Sequence, residues 1–378
     1  MAPKEWTVHN PDGKQRVIVT KELPGNRWLD ILTDARCRVE VCSSDDVLTV
    51  DEITERIGDS CHGAIGQLTE DWNAGLFATL AAAGGTAYSN YAVGYNNVDV
   101  PGATAAGIGV GNTPGVLTET TAEMAVSLTF SAGRRVAEAD RFMRGGRYLG
   151  WLPSLFMGMR FCGGTVGIIG AGRIGAAYAR MMVEGHKMNL VYFDLYRNET
   201  LEQYVSDYSD FLVAHGEDSV TCRRAETLDD LLSVADVVSL HTVLDDTTRH
   251  LIDAERLATM KPDAILVNSS RGPVIDEAAL VEHCAANPQF TAGLDVFEDE
   301  PAMKPGLAEL DNVVIVPHIA SATKWTREGM ATLAAANVAA ILREYPLWER
   351  DDVLPFLLGD VPRAAPSIVN AAELHLNQ

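Results

Sequence analysis

Short apolar runs alternate along most of the chain with stretches whose apolar residues recur at helical spacing. In the first third, residues 17–20, 37–42, 63–67, 87–90 and 108–112 read as strands, and 50–57 and 72–83 as helices. An alanine-rich stretch, Thr118–Met143, reads as one long helix, begun after Pro114-Gly115 and stopped by Gly145-Gly146. The connection Tyr148–Gly158 is unusually apolar, which suits either core packing or a surface loop that meets a second subunit. A second alternation starts at Thr165, with strand-sized runs at 165–169, 189–193, 237–240, 264–268, 291–294 and 313–316. Helical spacing returns over 323–344. The remainder, with Pro346, Pro355, Pro362 and Pro366, reads as an extended wrap over the surface. Strands separated by helices predict parallel sheets covered on both faces.

Composition narrows the function classes. Hydrophobic residues make up 47% and charged residues 22% of 378, as in an ordinary globular protein. No apolar stretch approaches the roughly 18 residues of a membrane helix. With 52 acidic and 30 basic residues the net charge is −22, which argues against nucleic acid or an anionic membrane as main partner. A small anionic substrate held by a local arginine stays open. The six cysteines, at 37, 42, 61, 162, 222 and 284, lack zinc-ligand spacing. They read as free thiols in a reducing compartment, with a Cys37–Cys42 disulfide left open, and no metal is expected. Residues Met1–Gly13 lack the apolar region of a secretory signal and are not an Arg/Ser-rich transit peptide. Leu374-His375-Leu376-Asn377-Gln378 is not an SKL-type peroxisomal address. The expected compartment is therefore open between the cytosol and an organelle such as the mitochondrion.

Gly170-Ala171-Gly172-Arg173-Ile174-Gly175 fits GxGxxG, between the 165–169 run and a helical pattern over 174–183. The first glycine allows the tight turn, the second lets backbone approach a pyrophosphate, and the third (Gly175) lets helix and strand pack closely. Asp194 follows at the end of the next strand, where an acid accepts the ribose hydroxyls. A carboxylate repels a 2′-phosphate, so NAD(H) is expected over NADP(H). Arg197 nearby argues the other way.

Three later apolar runs end in polar residues: Asn268-Ser269-Ser270-Arg271, Asp295 through Glu300-Pro301, and Pro317-His318. In a parallel sheet such ends share one edge, so Arg271, Asp295 or Glu300, and His318 are expected to converge. Reduction of a 2-keto acid needs such a set. Arginine's planar fork suits a carboxylate, histidine can deliver a proton near neutrality, and a carboxylate beside it orients the imidazole.

With these motifs in place, the sequence resembles the D-isomer-specific 2-hydroxyacid dehydrogenases, and within them the plant-type NADH-dependent hydroxypyruvate reductases. The resemblance rests on residues 66–72 (GQLTEDW), 92–99 (AVGYNNVD), 112–119 (NTPGVLTE) and 317–322 (PHIASA) and covers nearly the whole chain. It implies an α/β protein of two Rossmann/flavodoxin-like parallel-sheet domains with a cleft between them, the nucleotide-binding domain inserted in the substrate domain. Residues 1–117 would form the substrate-binding part. Residues 118–319 would form the NAD-binding domain with its dimerisation helix and loop, and 320–378 would return to the first domain.

It also implies roles. Arg271 would hold the substrate's carboxylate and carbonyl oxygen, His318 would be the acid, and Glu300 its partner. Val93 and Gly94 would offer backbone N–H groups to the carboxylate. Gly170, Gly172, Arg173, Ile174 and Gly175 would cover the pyrophosphate, and Asp194 the ribose. Asp295 would face the nicotinamide carboxamide, with Thr242, Ser269 and His318 lining the cofactor site. The implied assembly is a homodimer in which Trp151 reaches a neighbouring active site. The implied reaction reduces hydroxypyruvate to D-glycerate, with glyoxylate a slower substrate. Two other readings remain. One is an NAD(H)-sensing corepressor-like protein of the same fold, which keeps the same triad. The other is a different dehydrogenase of the family, such as phosphoglycerate dehydrogenase, whose long forms need more chain after residue 345.

Overall fold

The computed structural model describes residues 4–376. Met1–Pro3, from the leader reading, and Asn377-Gln378, from the peroxisomal-address reading, lie outside the described residues. The chain divides into two units: one takes the residues up to Leu117 and those from Ala322 onward, the other Thr118–Ser321.

The first unit carries a six-stranded sheet of β1 (Trp6–His9), β2 (Gln15–Val19), β3 (Cys37–Cys42), β4 (Gly63–Gly66), β5 (Ala87–Asn90) and β6 (Gly109–Gly111). Their order is β1-β3-β2-β4-β5-β6. All pairs are parallel except β1 on β3. Strand β1 and the amphipathic helix Arg27–Asp34 are not among the elements read from the sequence. β1 exists because it completes the edge of β3. The opposite edge, β6, is covered by the C-terminal segment. Val369 N–H donates to Val110 O, while Asn370 accepts from Val110 N–H and donates to Ile108 O. An exposed strand edge is thereby closed. The tail is not the extended wrap expected: Ile368 bridges Gly111, residues 369–376 are turns, and Leu354–Leu357 forms a short helix.

The second unit carries seven parallel strands: β7 (Thr165–Ile169), β8 (Asn189–Phe193), β9 (Cys222–Arg224), β10 (Val237–Leu240), β11 (Ile265–Asn268), β12 (Thr291–Leu294) and β13 (Val313–Ile315). Their order is β13-β12-β11-β10-β7-β8-β9. Consecutive strands leave β7 in one direction and return at β10 in the other, so the switch point lies between β7 and β10, where open α/β sheets bind ligands. The central strands β10, β11 and β12 are buried on both faces. Leu231, Val238, Leu266 and Leu280 pack on one side, and Ala125, Leu128, Tyr178 and Val183 on the other. Burying one such aliphatic side chain stabilises by roughly 1.5–3 kcal/mol.

The expected long helix is two. One helix runs Thr118–Gly133 and a second Val136–Arg144, with Arg135 left-handed at φ 54° between them. The cause is non-local. The returning chain lays Gly158 against Gly133, and Met159 N–H donates to Gly133 O at 2.8 Å. That carbonyl is lost to further helix. Core packing of Tyr148–Gly158 is also not found: Leu149 is 98% exposed, Trp151 79% and Met157 71%. Among the described residues no helix is long and apolar enough to cross a membrane.

Candidate functional site

The glycine motif forms the turn from β7 into the helix Arg173–His186. Its three glycines serve three different purposes. Gly170 sits at φ 91°, and a Cβ there would meet the His241 carbonyl at 2.8 Å and Thr242 N at 3.0 Å, just past β10. Gly175 packs on the turn, where a Cβ would lie 2.1 Å from Gly170 O. Gly172, by contrast, has nothing within 4 Å of its missing Cβ. Open space therefore stands beside backbone at the start of a 14-residue helix whose N-cap carries no side-chain bond. A pyrophosphate fits that arrangement, because free N–H groups and the helix dipole both favour an anion. Two buried hydroxyls, Thr242 Oγ1 after β10 and Ser269 Oγ after β11, have no hydrogen-bond partner. Buried polar atoms are normally paired, so these two fit a cofactor that completes them. Arg173 and Ile174 lie in the helix's first turn, as the motif requires.

Asp194 follows β8. Its Oδ2 accepts from Ala171 N–H at 2.8 Å and its Oδ1 from Tyr196 N–H at 3.0 Å. The carboxylate thus ties the glycine turn to the ribose end of the site and keeps lone pairs for hydroxyls. Arg197 turns away from any phosphate role: it grips Glu202 at 2.7 Å. Asn198, which the sequence reading passes over, donates to Ala171 O at 2.8 Å and caps the next helix.

Arg271 follows β11, and its Nη1 donates to Ser270 O at 2.7 Å. Burial, opposed by the charge of Glu300, lowers its pKa. Gly272 brings this turn close to the next one: a Cβ there would lie 1.8 Å from Phe297 O. Glu300 Oε2 meets His318 Nδ1 at 2.9 Å, and Oε1 accepts from Phe297 N–H at 3.0 Å. Burial pushes the Glu300 carboxyl up. The His318 hydrogen bond and charge, the Phe297 N–H and Arg271 outweigh it, and the net pKa is lowered. An ionised carboxylate only accepts, so Nδ1 carries the hydrogen and Nε2 is left for another partner. The Glu300 turn is braced by two acids the sequence reading missed. Glu277 accepts from Glu298 N–H at 2.6 Å and Lys304 N–H at 2.7 Å, and Glu298 in turn meets His250 Nε2 at 2.9 Å.

His318 itself is left-handed, at φ 51°. A non-glycine residue there costs of order 1–3 kcal/mol. Asp295, fully buried after β12, holds it. The Asp295 carbonyl accepts from His318 N–H at 2.9 Å, its Oδ1 from Ile319 N–H at 2.6 Å and its Oδ2 from Ala320 N–H at 2.9 Å. Burial, against these hydrogen bonds, raises its pKa. The sequence reading places Asp295 opposite the nicotinamide. Here its carboxylate is engaged by the histidine loop.

In the other unit, Val93 and Gly94 lie on the turn after β5, half-buried. Their carbonyls are taken: Asn112 Nδ2 donates to Val93 O at 2.8 Å and Asn90 Nδ2 to Gly94 O at 2.9 Å. Their own N–H groups donate to nothing among the described residues. Neither asparagine is singled out by the sequence reading. Trp151 makes no hydrogen bond or ring contact among the described residues.

Comparisons with known proteins bear on the family and the fold. Residues 126–320 match the D-isomer specific 2-hydroxyacid dehydrogenase, NAD binding domain. The glycerate dehydrogenase of Cucumis sativus is 61% identical over 376 residues, 98% of this chain and 98% of that protein. A peroxisomal glycerate dehydrogenase of Arabidopsis thaliana is 61% identical over 378 residues, 99% of this chain and 98% of that one. Among solved structures, the TT0316 protein of Thermus thermophilus superposes with a TM-score of 0.78. It is 34% identical and covers 94% of this chain and 100% of its own. The chain belongs to the D-isomer-specific 2-hydroxyacid dehydrogenase family, and it carries that family's NAD-binding domain.

Proposed function

We propose that this protein reduces hydroxypyruvate to D-glycerate with NADH. The balance is hydroxypyruvate, NADH and one proton giving D-glycerate and NAD⁺. The observation that carries the reading is the His318–Glu300 pair at 2.9 Å, in one unit with Arg271 and the glycine turn. Both glycerate dehydrogenase relatives match over nearly their full length. When bound, NADH supplies the hydride. His318 Nε2 gives its proton to the substrate's carbonyl oxygen, and the ionised Glu300 stabilises the imidazolium that precedes the transfer. Arg271 holds the substrate carboxylate and polarises the carbonyl. The unspent N–H groups of Val93 and Gly94 suit a substrate carboxylate. Thr242 and Ser269 line the nicotinamide end and Asp295 holds the His318 loop, while Asp194 takes the ribose and disfavours a 2′-phosphate. Glyoxylate, which keeps the keto-acid core and lacks the hydroxymethyl group, is the slower substrate.

We also propose a homodimer. The exposed apolar side chains of Val136, Met143, Leu149, Trp151, Leu152 and Met157 come from one continuous segment. So many large apolar side chains exposed on one segment suit an interaction surface, and Trp151 would reach the neighbour's substrate.

The deciding measurement is NADH oxidation by absorbance with hydroxypyruvate, glyoxylate and 3-phosphohydroxypyruvate, repeated with NADPH. Fast turnover of hydroxypyruvate with NADH alone supports the reading. Bound NADH without turnover of any keto acid overturns it in favour of a cofactor-sensing role.

A further inference from the structure

We propose that Asn112, beside the Thr113 N–H, is a positioning residue which aims the Val93 and Gly94 N–H groups at the substrate carboxylate, and that Asn90 pins the next peptide of the same turn. The proposal deepens the carboxylate role given above to those two groups and rests on it.

Three consecutive carbonyls of this turn are captured from behind. Ala92 O accepts from Thr113 N–H at 2.9 Å, Val93 O from Asn112 Nδ2 and Gly94 O from Asn90 Nδ2. A peptide's N–H and C=O point in opposite senses. Fixing the carbonyls of Ala92 and Val93 therefore fixes the direction of the N–H groups of Val93 and Gly94. These two are left unspent, and adjacent free N–H groups form a concave anion seat.

The captors are themselves immobilised. Asn90 is fully buried, and its Oδ1 accepts from Tyr88 Oη at 3.0 Å. Its Nδ2 also reaches Asn97 Oδ1 at 3.0 Å, and Asn97 Nδ2 donates to the carbonyls of Gln67 and Glu70. Asn112 Oδ1 accepts from Ser367 Oγ at 2.6 Å, and Asn112 O from the buried Asn337. Because each amide oxygen is taken by a donor, each amide nitrogen must face the turn. The chemistry also suits an anion. Neutral amides clamp carbonyls without placing a carboxylate beside the seat, which a chain of net charge −22 could easily have done.

The test is steady-state kinetics of the full-length protein with hydroxypyruvate and with glyoxylate, using Asn112→Ala, Asn112→Asp and Asn90→Asp. Both substrates carry the carboxylate, so a carboxylate seat predicts KM rising by the same factor for both. We expect about tenfold for Asn112→Ala, the scale of one buried hydrogen bond. Asn112→Asp should rise further, because a second acceptor then faces Val93 O. Saturated kcat and NADH affinity by fluorescence should stay within about threefold. Ser367→Ala and Tyr88→Phe remove only the hydroxyls that lock the amides, and they answer the question if the asparagine variants do not fold. They should raise both KM values two- to fourfold. Unchanged KM in folded variants overturns the proposal, as does a change confined to one substrate or a loss in kcat alone. Wild-type turnover checks the reaction itself: a wild type that reduces both acids beside variants of unchanged KM overturns the clamp and leaves the function standing.

Discussion

The turn after β5 and the turn after β13 use the same device with opposite sign. After β5, three successive carbonyls are captured by two neutral amides and one backbone N–H, and the N–H groups of Val93 and Gly94 are left free. After β13, three successive N–H groups, of His318, Ile319 and Ala320, are captured by one acid, Asp295. What that second turn presents is a side chain, the imidazole of His318, held left-handed. Neutral amides clamp the first turn without bringing a charge to its carbonyls, whereas a proton donor is helped by a carboxylate. Among its described residues, the first unit buries two carboxylates: Glu70, which accepts from Gln67 N–H, Thr20 Oγ1 and Trp72 Nε1, and Glu40 on β3. Glu40 there meets Arg16 and Arg38 at 2.8 Å, along with Arg56.

The largest effect should come from removing what the second turn presents. His318→Ala is expected to lower reductive turnover by roughly 10²–10⁴, the range for losing a general acid, with NADH binding retained by fluorescence. Near-normal turnover would take His318 out of that role. Next is the carboxylate that the comparison places outside the chemistry. Burial raises the Glu40 pKa, but Arg16, Arg38 and Arg56 bring it down from 4.5 to about 2. A depressed folded-state pKa stabilises above about pH 4.5, and that contribution is lost as pH falls towards 2. Glu40→Gln should therefore cost about 3 kcal/mol at pH 7 in urea denaturation. It should also flatten the acid limb of stability between pH 4.5 and 2. An unchanged acid limb would mean the arginine cluster contributes little.

A smaller effect sharpens the comparison directly. Asp295→Asn replaces one acceptor by a donor that faces Ile319 or Ala320 N–H. Turnover should fall about 10–100-fold, corresponding to roughly 1–3 kcal/mol for a buried N–H left unpaired, while NADH binding should persist. If instead NADH affinity fell and kcat held, Asp295 would serve the nicotinamide and not the histidine loop. The smallest change concerns cofactor choice. Asp194→Ala should narrow the preference for NADH over NADPH by about tenfold, one charge repulsion's worth, as read from kcat/KM for both cofactors. An unchanged ratio would assign the choice elsewhere.

Much of the chemistry could be read from the chain because it sits where local pattern is strongest. Arg271, Asp295 and His318 each follow an apolar run of strand length, and parallel strands deliver such ends to one edge. The helix Val50–Ile57, with a Thr49–Glu52 capping box, lies where its spacing puts it. Asn90, Asn112, Glu277 and Glu298 could not be read as site residues, because their partners are set by which turns neighbour one another. The Ser367–Asn112 bond spans 255 residues of chain.

The sequence by itself determined the alternation of strands and helices, the three glycine roles and the acid nineteen residues beyond them, because periodicity and backbone freedom are local properties. Only the tertiary structure decided where the Thr118–Gly133 helix stops and which peptide groups stay unspent for ligands. Both depend on hydrogen bonds from distant chain, and a carbonyl or N–H is free only once every other segment has taken its place.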